Sequence, residues 1–399
     1  MKIRRESKPV AGFRAAGIHC GIKAKSPDLA MIVCDEPASV AAVFTQSTVV
    51  GAPVELSRER VRSGKTRGVI VNSGISNVAM GRRGLRDAAA MARMAAEVVG
   101  CSEQQMLVAS TGVIGQPLPM DVLRRGIPQL ARQLSATGFD AAAEAIRTTD
   151  TFAKVASTRL RLAGGTVTIT GIAKGSGMIE PEMATMLSFL ATDARVAPGL
   201  LRRMLGRVAD ATFNRLTIDG EGSTSDSVVL MASGRSRAPA LRSGSEETAR
   251  FELALAALCE DLVRQLARDG EGATKLLTVR VEGARNASQA DRAARRIANS
   301  LLVKTAVFGG DPNWGRVLQT VGAGRIDWNP EAVRLKVGGV VVFSRGRPAG
   351  PAAQKRAEKA LGRDEIEIAV ELGRGSGSAR IFSCDLSYDY IRINAEYTT

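Results

Sequence analysis

Histidine is almost absent from this chain of 399 residues: His19 is the only one. A Ser-His-Asp triad or a histidine-built zinc site would rest entirely on that side chain. It stands among small and apolar neighbours in Ala-Gly-Ile-His-Cys-Gly and reads as a packed or surface residue, so a general base must come from elsewhere. Aromatic residues make up 4%, too few to furnish a stacking platform for single-stranded nucleic acid. The five cysteines, Cys20, Cys34, Cys101, Cys259 and Cys384, are far apart and form no C-x-x-C pair. Free thiols in a reducing compartment are expected, not a disulfide framework or a metal cluster. No apolar run approaches the roughly 18 residues that a membrane span requires, and the opening residues lack the apolar stretch of a signal peptide. A cytoplasmic location with no membrane partner is the expectation. No G-x-G-x-x-G or P-loop stands between a strand and a helix, so no nucleotide cofactor is expected.

Positive charge is plentiful, with 55 Lys and Arg against 40 Asp and Glu, a net +15. The excess is not gathered in a tail: residues 1–184 hold 24 basic and 15 acidic side chains, the remainder 31 and 25. Arginines such as Arg82, Arg83, Arg202, Arg203, Arg295 and Arg296 fall in or beside helical patterns, where a solvated face is the ordinary outcome. Nucleic-acid binding is therefore not expected. Hydrophobic residues at 45% and charged residues at 24% are those of a globular chain long enough for two domains or one large layered unit.

Apolar periodicity alternates between strand and helix along the chain. Residues 29–33 and 40–44 read as two buried strands separated by Asp35-Glu-Pro, and residues 68–74 as a third ending in a turn. Residues 86–99 are alanine-rich at helical spacing, with Gly100 as a stop. Helices are expected over 119–134, 138–147, 198–212, 245–268 and 287–301. Residues 158–162 and 166–170 form a hairpin across Ala163-Gly-Gly165, and residues 333–343 another around Gly338-Gly339. Strands are expected at 227–231 and 277–281, and an edge or half-solvated strand at 365–372. Mixed strands, hairpins and helices point to α+β layers.

One segment carries chemistry. In Lys174-Gly-Ser-Gly-Met-Ile-Glu-Pro-Glu-Met-Ala184-Thr185-Met-Leu, a glycine-rich turn runs into a small residue, a threonine and an apolar stretch. This layout suits a chain that cuts itself between Ala184 and Thr185. The hydroxyl attacks the preceding carbonyl, and the peptide C–N bond breaks to leave an ester and an α-amine of pKa about 7.7–8.0. Hydrolysis of the ester separates the fragments and restores the hydroxyl. That amine can then act as base for its own hydroxyl, the N-terminal threonine form of nucleophilic catalysis. The same stretch also reads as a plain loop entering a buried strand.

Gly171 to Leu187 resembles the self-cleavage signature of the ornithine acetyltransferase family, the bifunctional glutamate N-acetyltransferases of arginine biosynthesis. Further blocks agree in the family's order: Ser110-Thr-Gly-Val-Ile-Gly115, Thr148-Thr-Asp-Thr-Phe152, Asp269-Gly-Glu-Gly-Ala-Thr-Lys275, Lys304-Thr-Ala306, Asp311-Pro-Asn-Trp-Gly-Arg316 and Ile393-Asn-Ala-Glu-Tyr-Thr-Thr399. The resemblance implies a layered α-β-β-α fold of the N-terminal-nucleophile type. It implies an α fragment of residues 1–184 and a β fragment of residues 185–399, assembled as two copies of each. The implied reaction moves acetyl from N2-acetylornithine to glutamate through an acetyl-Thr185 ester, and some members of the family also accept acetyl-CoA.

Thr185 carries over as nucleophile, with Thr111 and Gly112 as the oxyanion donors. A hydroxyl and a backbone N–H can serve in that way, and losing one such donor costs about 10²–10³ in rate. Thr151, Lys174, Thr185, Glu271, Asn394 and Thr399 carry over as substrate-binding positions. Lys174 can pair a substrate carboxylate as a point charge. Glu271, between glycines, can hold a substrate ammonium or simply form an acidic turn after a helix. Asn394 and Thr399 lie in the last six residues, so their use requires a docked C-terminus. Three departures stand out: Ile75, Val78 and Met80 in a loop that is usually polar, no proline in Phe152-Ala-Lys154, and Ser225 where asparagine is common. Two other readings remain open: an N-terminal-threonine amidohydrolase or aminopeptidase with water as acceptor, and an uncut binding protein.

Overall fold

The computed structural model describes residues 2–180 and 186–396. The chain forms two compact units, the first of residues 1–214 and 222–266, the second of residues 215–221 and 267–398. Ala184, Thr185 and Thr399 lie outside the described residues.

The first unit contains β1 (Phe13–Ile18), β2 (Leu29–Phe44), α1 (Ala52–Arg60), β3 (Lys65–Ile75), α2 (Gly81–Val99), β4 (Met106–Val113), α3 (Met120–Arg132), α4 (Phe139–Ala145), β5 (Lys154–Leu162), β6 (Gly165–Lys174), β7 (Leu187–Thr192), α5 (Pro198–Ala211), β8 (Ser227–Ala232) and α6 (Glu246–Arg268), the last belonging to it through Leu266. Its eight strands run β4-β3-β2-β8-β7-β6-β5, with β1 on β2. β2 joins two halves. Leu29–Val33 pairs with β1 and β3, and Ser39–Phe44 pairs with β8. The ladder with β3 is irregular between Val33 and Ala38, where Asp35, Glu36 and Pro37 are exposed. Residues 29–44 are thus one long bulged strand, not the two expected from sequence. A bulge leaves residues unpaired and bends the strand without ending it.

Alternation along β2 separates two layers. Ala30, Ile32 and Cys34 join inward residues of the other strands and α4 in one core. Leu29, Met31 and Val33 face α2 and α3 on the opposite side. On β6, Ile172 enters the shared core while Gly171 lies against Leu258 and Leu262 of α6, which a Cβ would crowd to 3.1 Å. Helices therefore cover the outer face of both halves. The halves also meet: Lys174 at the end of β6 bonds Thr111 near the end of β4. The register puts these positions at opposite ends of β2, a strand that would span roughly 50 Å if straight at about 3.3 Å per residue. The sheet must fold over the shared core, giving the layered α+β order of helix, strand, strand and helix.

The second unit holds β9 (Leu276–Ala284), α7 (Ala287–Asn299), α8 (Leu301–Phe308), α9 (Trp314–Ala323), β10 (Arg334–Val337), β11 (Val340–Ser344), β12 (Arg347–Pro348), α10 (Pro351–Leu361), β13 (Glu365–Glu371), β14 (Gly377–Cys384) and α11 (Tyr388–Glu396). Its sheet runs β12-β11-β10-β13-β9-β14. Leu277, Val279, Val281, Ile366, Ile368 and Val370 face the helices, while Arg280 and Glu367 form a 2.8 Å ion pair on the other side. β13 is therefore half-solvated as expected, yet interior to the sheet. The expected helix over 287–301 is instead two. Ser300 turns out of helical geometry (ψ 111°), and its hydroxyl accepts from Val303 N–H to cap α8. Gly338 and Gly339, at φ +57° and +85°, give the β10–β11 turn the positive φ values a two-residue hairpin favours.

Candidate active site

Lys174 closes β6, and its Nζ donates to Thr111 Oγ1 at 3.0 Å. Thr111 is buried in β4, which runs parallel to β3 with Asn72 opposite Ser110 and Gly74 opposite Gly112. Ser110 Oγ donates to Asn72 Oδ1 at 2.5 Å, and Asn72 Nδ2 donates to Ile75 O at 2.8 Å. The first bond ties the two strand ends together, and the second holds the Asn72 amide in place at the end of β3. Gly112 has φ +128°, and a Cβ there would lie 2.2 Å from the Gly74 carbonyl carbon. Only glycine fits this crossing. The two residues expected as oxyanion donors thus sit at a close crossing of two backbones, and one of them touches the expected lysine.

Asp150 lies within the same cluster and was not singled out from sequence. Its carboxylate, fully buried, takes a 2.5 Å ion pair from the equally buried Lys154. It also accepts from Gly175 N–H at 2.7 Å and Thr148 N–H at 2.9 Å. Burial alone would raise its pKa, but Lys154, Lys174 and these hydrogen bonds outweigh burial and hold it well below the usual carboxylate range. Through Gly175 this carboxylate fixes the turn that follows Lys174. Thr149 and Ser176 hydroxyls add a 2.6 Å bond between the same two loops. Thr151, the next residue, is exposed. The signal for Asp150 was present in Thr148-Thr-Asp-Thr-Phe152, but a motif does not disclose which of its members is buried.

Asp226, before β8, is a second buried carboxylate. Burial raises its pKa well above the usual range, against a smaller opposing pull from Ser223 and Lys174. β7 is held between β6 and β8: Leu187 pairs with Lys174 on one side and with Ser227 on the other. The strand that begins two residues after Thr185 is thus locked beside Lys174 and the residue following Asp226. Of the apolar departures, Val78 is fully buried and Ile75 packs against the core under α2. Their side chains serve packing.

In the second unit, Asn394 Nδ2 donates to Glu271 Oε2 at 2.9 Å and to Tyr390 O at 3.0 Å. Gly272, at φ +69°, lets the chain pass α11 where a Cβ would come within 2.4 Å of Tyr390 N. Ser387 Oγ donates to Gly272 O at 2.5 Å. Glu271 and Asn394, 123 residues apart in sequence, are thereby brought together.

Among the described residues no group of His, Cys, Asp and Glu could hold a metal ion, and no helix is long and apolar enough to cross a membrane. The ArgJ family matches residues 14–399. The chain belongs to that family. The arginine biosynthesis bifunctional protein ArgJ of Halalkalibacterium halodurans is 46% identical over 389 residues, covering 97% of this chain and 95% of that protein. Its counterpart from Geobacter sulfurreducens is also 46% identical, covering 98% and 100%. The crystal structure of the ArgJ protein from Bacillus halodurans, 43% identical, superposes with a TM-score of 0.51, covering 53% of this chain and 100% of that one. The chain is accordingly an acetyltransferase of arginine biosynthesis, as the sequence motifs implied.

Proposed function

We propose that the chain cuts itself between Ala184 and Thr185, and then moves acetyl from N2-acetylornithine to L-glutamate by a ping-pong route through an ester on Thr185. The observation that supports this most is the bond from Lys174 Nζ to Thr111 Oγ1, beside the start of β7. A hydroxyl oxygen that accepts from a cation keeps its own O–H to donate, and the neighbouring charge strengthens that donor. With the Gly112 N–H it suits the developing oxyanion of acyl transfer.

Thr185 Oγ attacks the acetyl carbonyl while its α-amine takes the hydroxyl proton. The C–N bond breaks, the proton passes to the leaving amine, and ornithine departs. The glutamate amine then attacks the ester, the C–O bond breaks, and Oγ recovers a proton. Lys174 pairs the substrate carboxylate, Glu271 takes a substrate ammonium, and Thr151, Asn394 and Thr399 complete the binding positions. No metal or nucleotide cofactor takes part, and acetyl-CoA serves as a second acetyl donor. The α and β fragments remain associated because β7 stays paired with β6 after the cut, and two copies of each assemble in the cytoplasm.

Intact mass under denaturing conditions tests the cut: fragments of 184 and 215 residues are expected. Incubation with N2-acetylornithine alone should leave one acetyl group on the fragment beginning at Thr185, and glutamate should remove it. Thr185→Ala should abolish cleavage and transfer together. A Thr185→Ala protein that still splits at this bond, or an acetyl group lost to water at the same rate with and without glutamate, would overturn the proposal.

A further inference from the structure

The loop of residues 19–27 between β1 and β2 wraps around one carboxylate. Asp28, its side chain fully buried, accepts from the N–H groups of Cys20 at 2.7 Å, Gly21 at 3.1 Å, Ile22 at 2.7 Å and Lys23 at 2.9 Å. His19 Nδ1 approaches the same carboxylate at 3.2 Å and Ser26 O at 2.9 Å. Four backbone donors on one carboxylate form a nest of the kind that otherwise receives a bound anion, here filled by the chain itself. Its effect is to fix the backbone at Lys23.

The Lys23 side chain is half-buried and runs over the β3 end, where a Cβ on Gly74 would lie 3.0 Å from Lys23 Cγ. Gly74 is the residue crossed by Gly112. Lys23 Nζ donates to Arg147 O at 2.9 Å and makes no ion pair among the described residues. Burial lowers its pKa against an opposing pull from Asp28, while Arg147 and Lys174 push it the same way as burial and Asp150 opposes them. Of the cations gathered here, Lys154 is matched by Asp150 and Arg147 by Glu144. Lys23 is left half-desolvated with no carboxylate in direct contact with its ammonium, Asp28 and Asp150 acting on it only at a distance, beside the expected oxyanion segment. That is costly unless an anion arrives.

We infer that Lys23 is a further substrate-binding residue, which joins Lys174 in holding the α-carboxylate carried by both amino-acid substrates, and that Asp28 positions it. The inference rests on the acetyl-transfer reading given above. It explains why a loop outside the strand framework is ordered by so many bonds to one carboxylate.

The test compares N2-acetylornithine with N-acetylputrescine, the same acetyl donor without its α-carboxylate. In Lys23→Met, kcat/KM for N2-acetylornithine should fall about tenfold to a hundredfold, the range for a hydrogen bond to a charged group. For N-acetylputrescine it should change little, so that the preference of the enzyme for the carboxylate collapses. Lys23→Arg should restore part of that preference, and Asp28→Asn should lower it without removing the charge. A merely structural role would depress both donors equally, and an unchanged preference in a folded Lys23→Met protein would overturn the inference. Failure of the acetyl-transfer reading itself is distinguishable, since the unaltered enzyme would then turn over neither donor.

Discussion

Lys154→Met offers the sharpest test of how this site is built. Lys154 and Asp150 are both fully buried and 2.5 Å apart. Removing one partner of such a pair strands a charge in a poorly solvating interior and costs about 3–5 kcal/mol. At about 2–4 °C per kcal/mol for a domain of this size, the melting temperature should fall by roughly 6–20 °C at pH 7. Methionine keeps most of the volume of the lysine stem, so a cavity contributes little.

The pH dependence identifies the cause. In the unaltered protein the folded-state pKa of Asp150 lies below its unfolded value. The group therefore contributes stability that is present above about pH 3.9 and lost as the pH falls through the folded value. Without Lys154, burial dominates and the folded pKa rises. The group then costs stability that grows with pH above the unfolded value, so the deficit of the variant should be largest near neutrality and shrink at pH 4.5. Thermal melts at both pH values measure this. Asp150→Asn combined with Lys154→Met should recover much of the loss, because Asn Oδ1 still accepts from Gly175 N–H. A single variant within about 2 °C of the parent at pH 7, or a deficit that does not narrow on acidification, would refute the reasoning.

Gly112→Ala should disable the enzyme without touching any charge. Its Cβ would lie 2.2 Å from Gly74 at φ +128°, so the strand ends must part and carry Thr111 from Lys174. The strain is worth at least about 1–3 kcal/mol, read as a lowered melting temperature together with a fall in kcat. Asp226→Asn should instead stabilise at alkaline pH: the raised folded pKa of Asp226 means that its cost grows as pH rises above the unfolded value, and the amide removes it. Chemical denaturation at pH 5 and pH 8 should show the benefit widening with pH, and a variant less stable than its parent at pH 8 would contradict the assignment of a buried, reluctantly ionised acid.

The sequence disclosed periodic elements well and burial of polar groups poorly. The helices at 198–211 and 246–268 and the β5–β6 hairpin follow the apolar spacing closely. Asp35-Glu-Pro looked like a break because charged residues and proline leave strands, yet they form an exposed bulge in a strand whose flanks both stay paired. Ser300 looked like helix interior because its neighbours keep the helical period, whereas its hydroxyl begins a new helix. Lys154 drew notice only for the missing proline before it, and Asp28 drew none. Both matter through what surrounds them in space, which periodicity does not encode. Thr111, Gly112, Lys174, Glu271 and Asn394 came from motif resemblance, and their pairing as Thr111 with Lys174 and Glu271 with Asn394 is visible only in the fold.

The bend in β2 explains why motifs so far apart in sequence can act together in the first unit. In a flat sheet, the ends of β3 and β4 would lie at one extreme of β2 and the starts of β7 and β8 at the other. The bulge between Val33 and Ala38 lets each half keep its own ladder while the sheet folds over the core. Thr111 and Gly112 then approach from one half, and Lys174 and the start of β7 from the other. The contact between them is a hydrogen bond from a lysine to a hydroxyl, much weaker than the apolar layer that enforces it. Substitutions that unpack that layer near Ile32 or Phe189 would therefore loosen the site as surely as substitutions in the site itself, since packing sets the distance across which Thr111 and Lys174 meet.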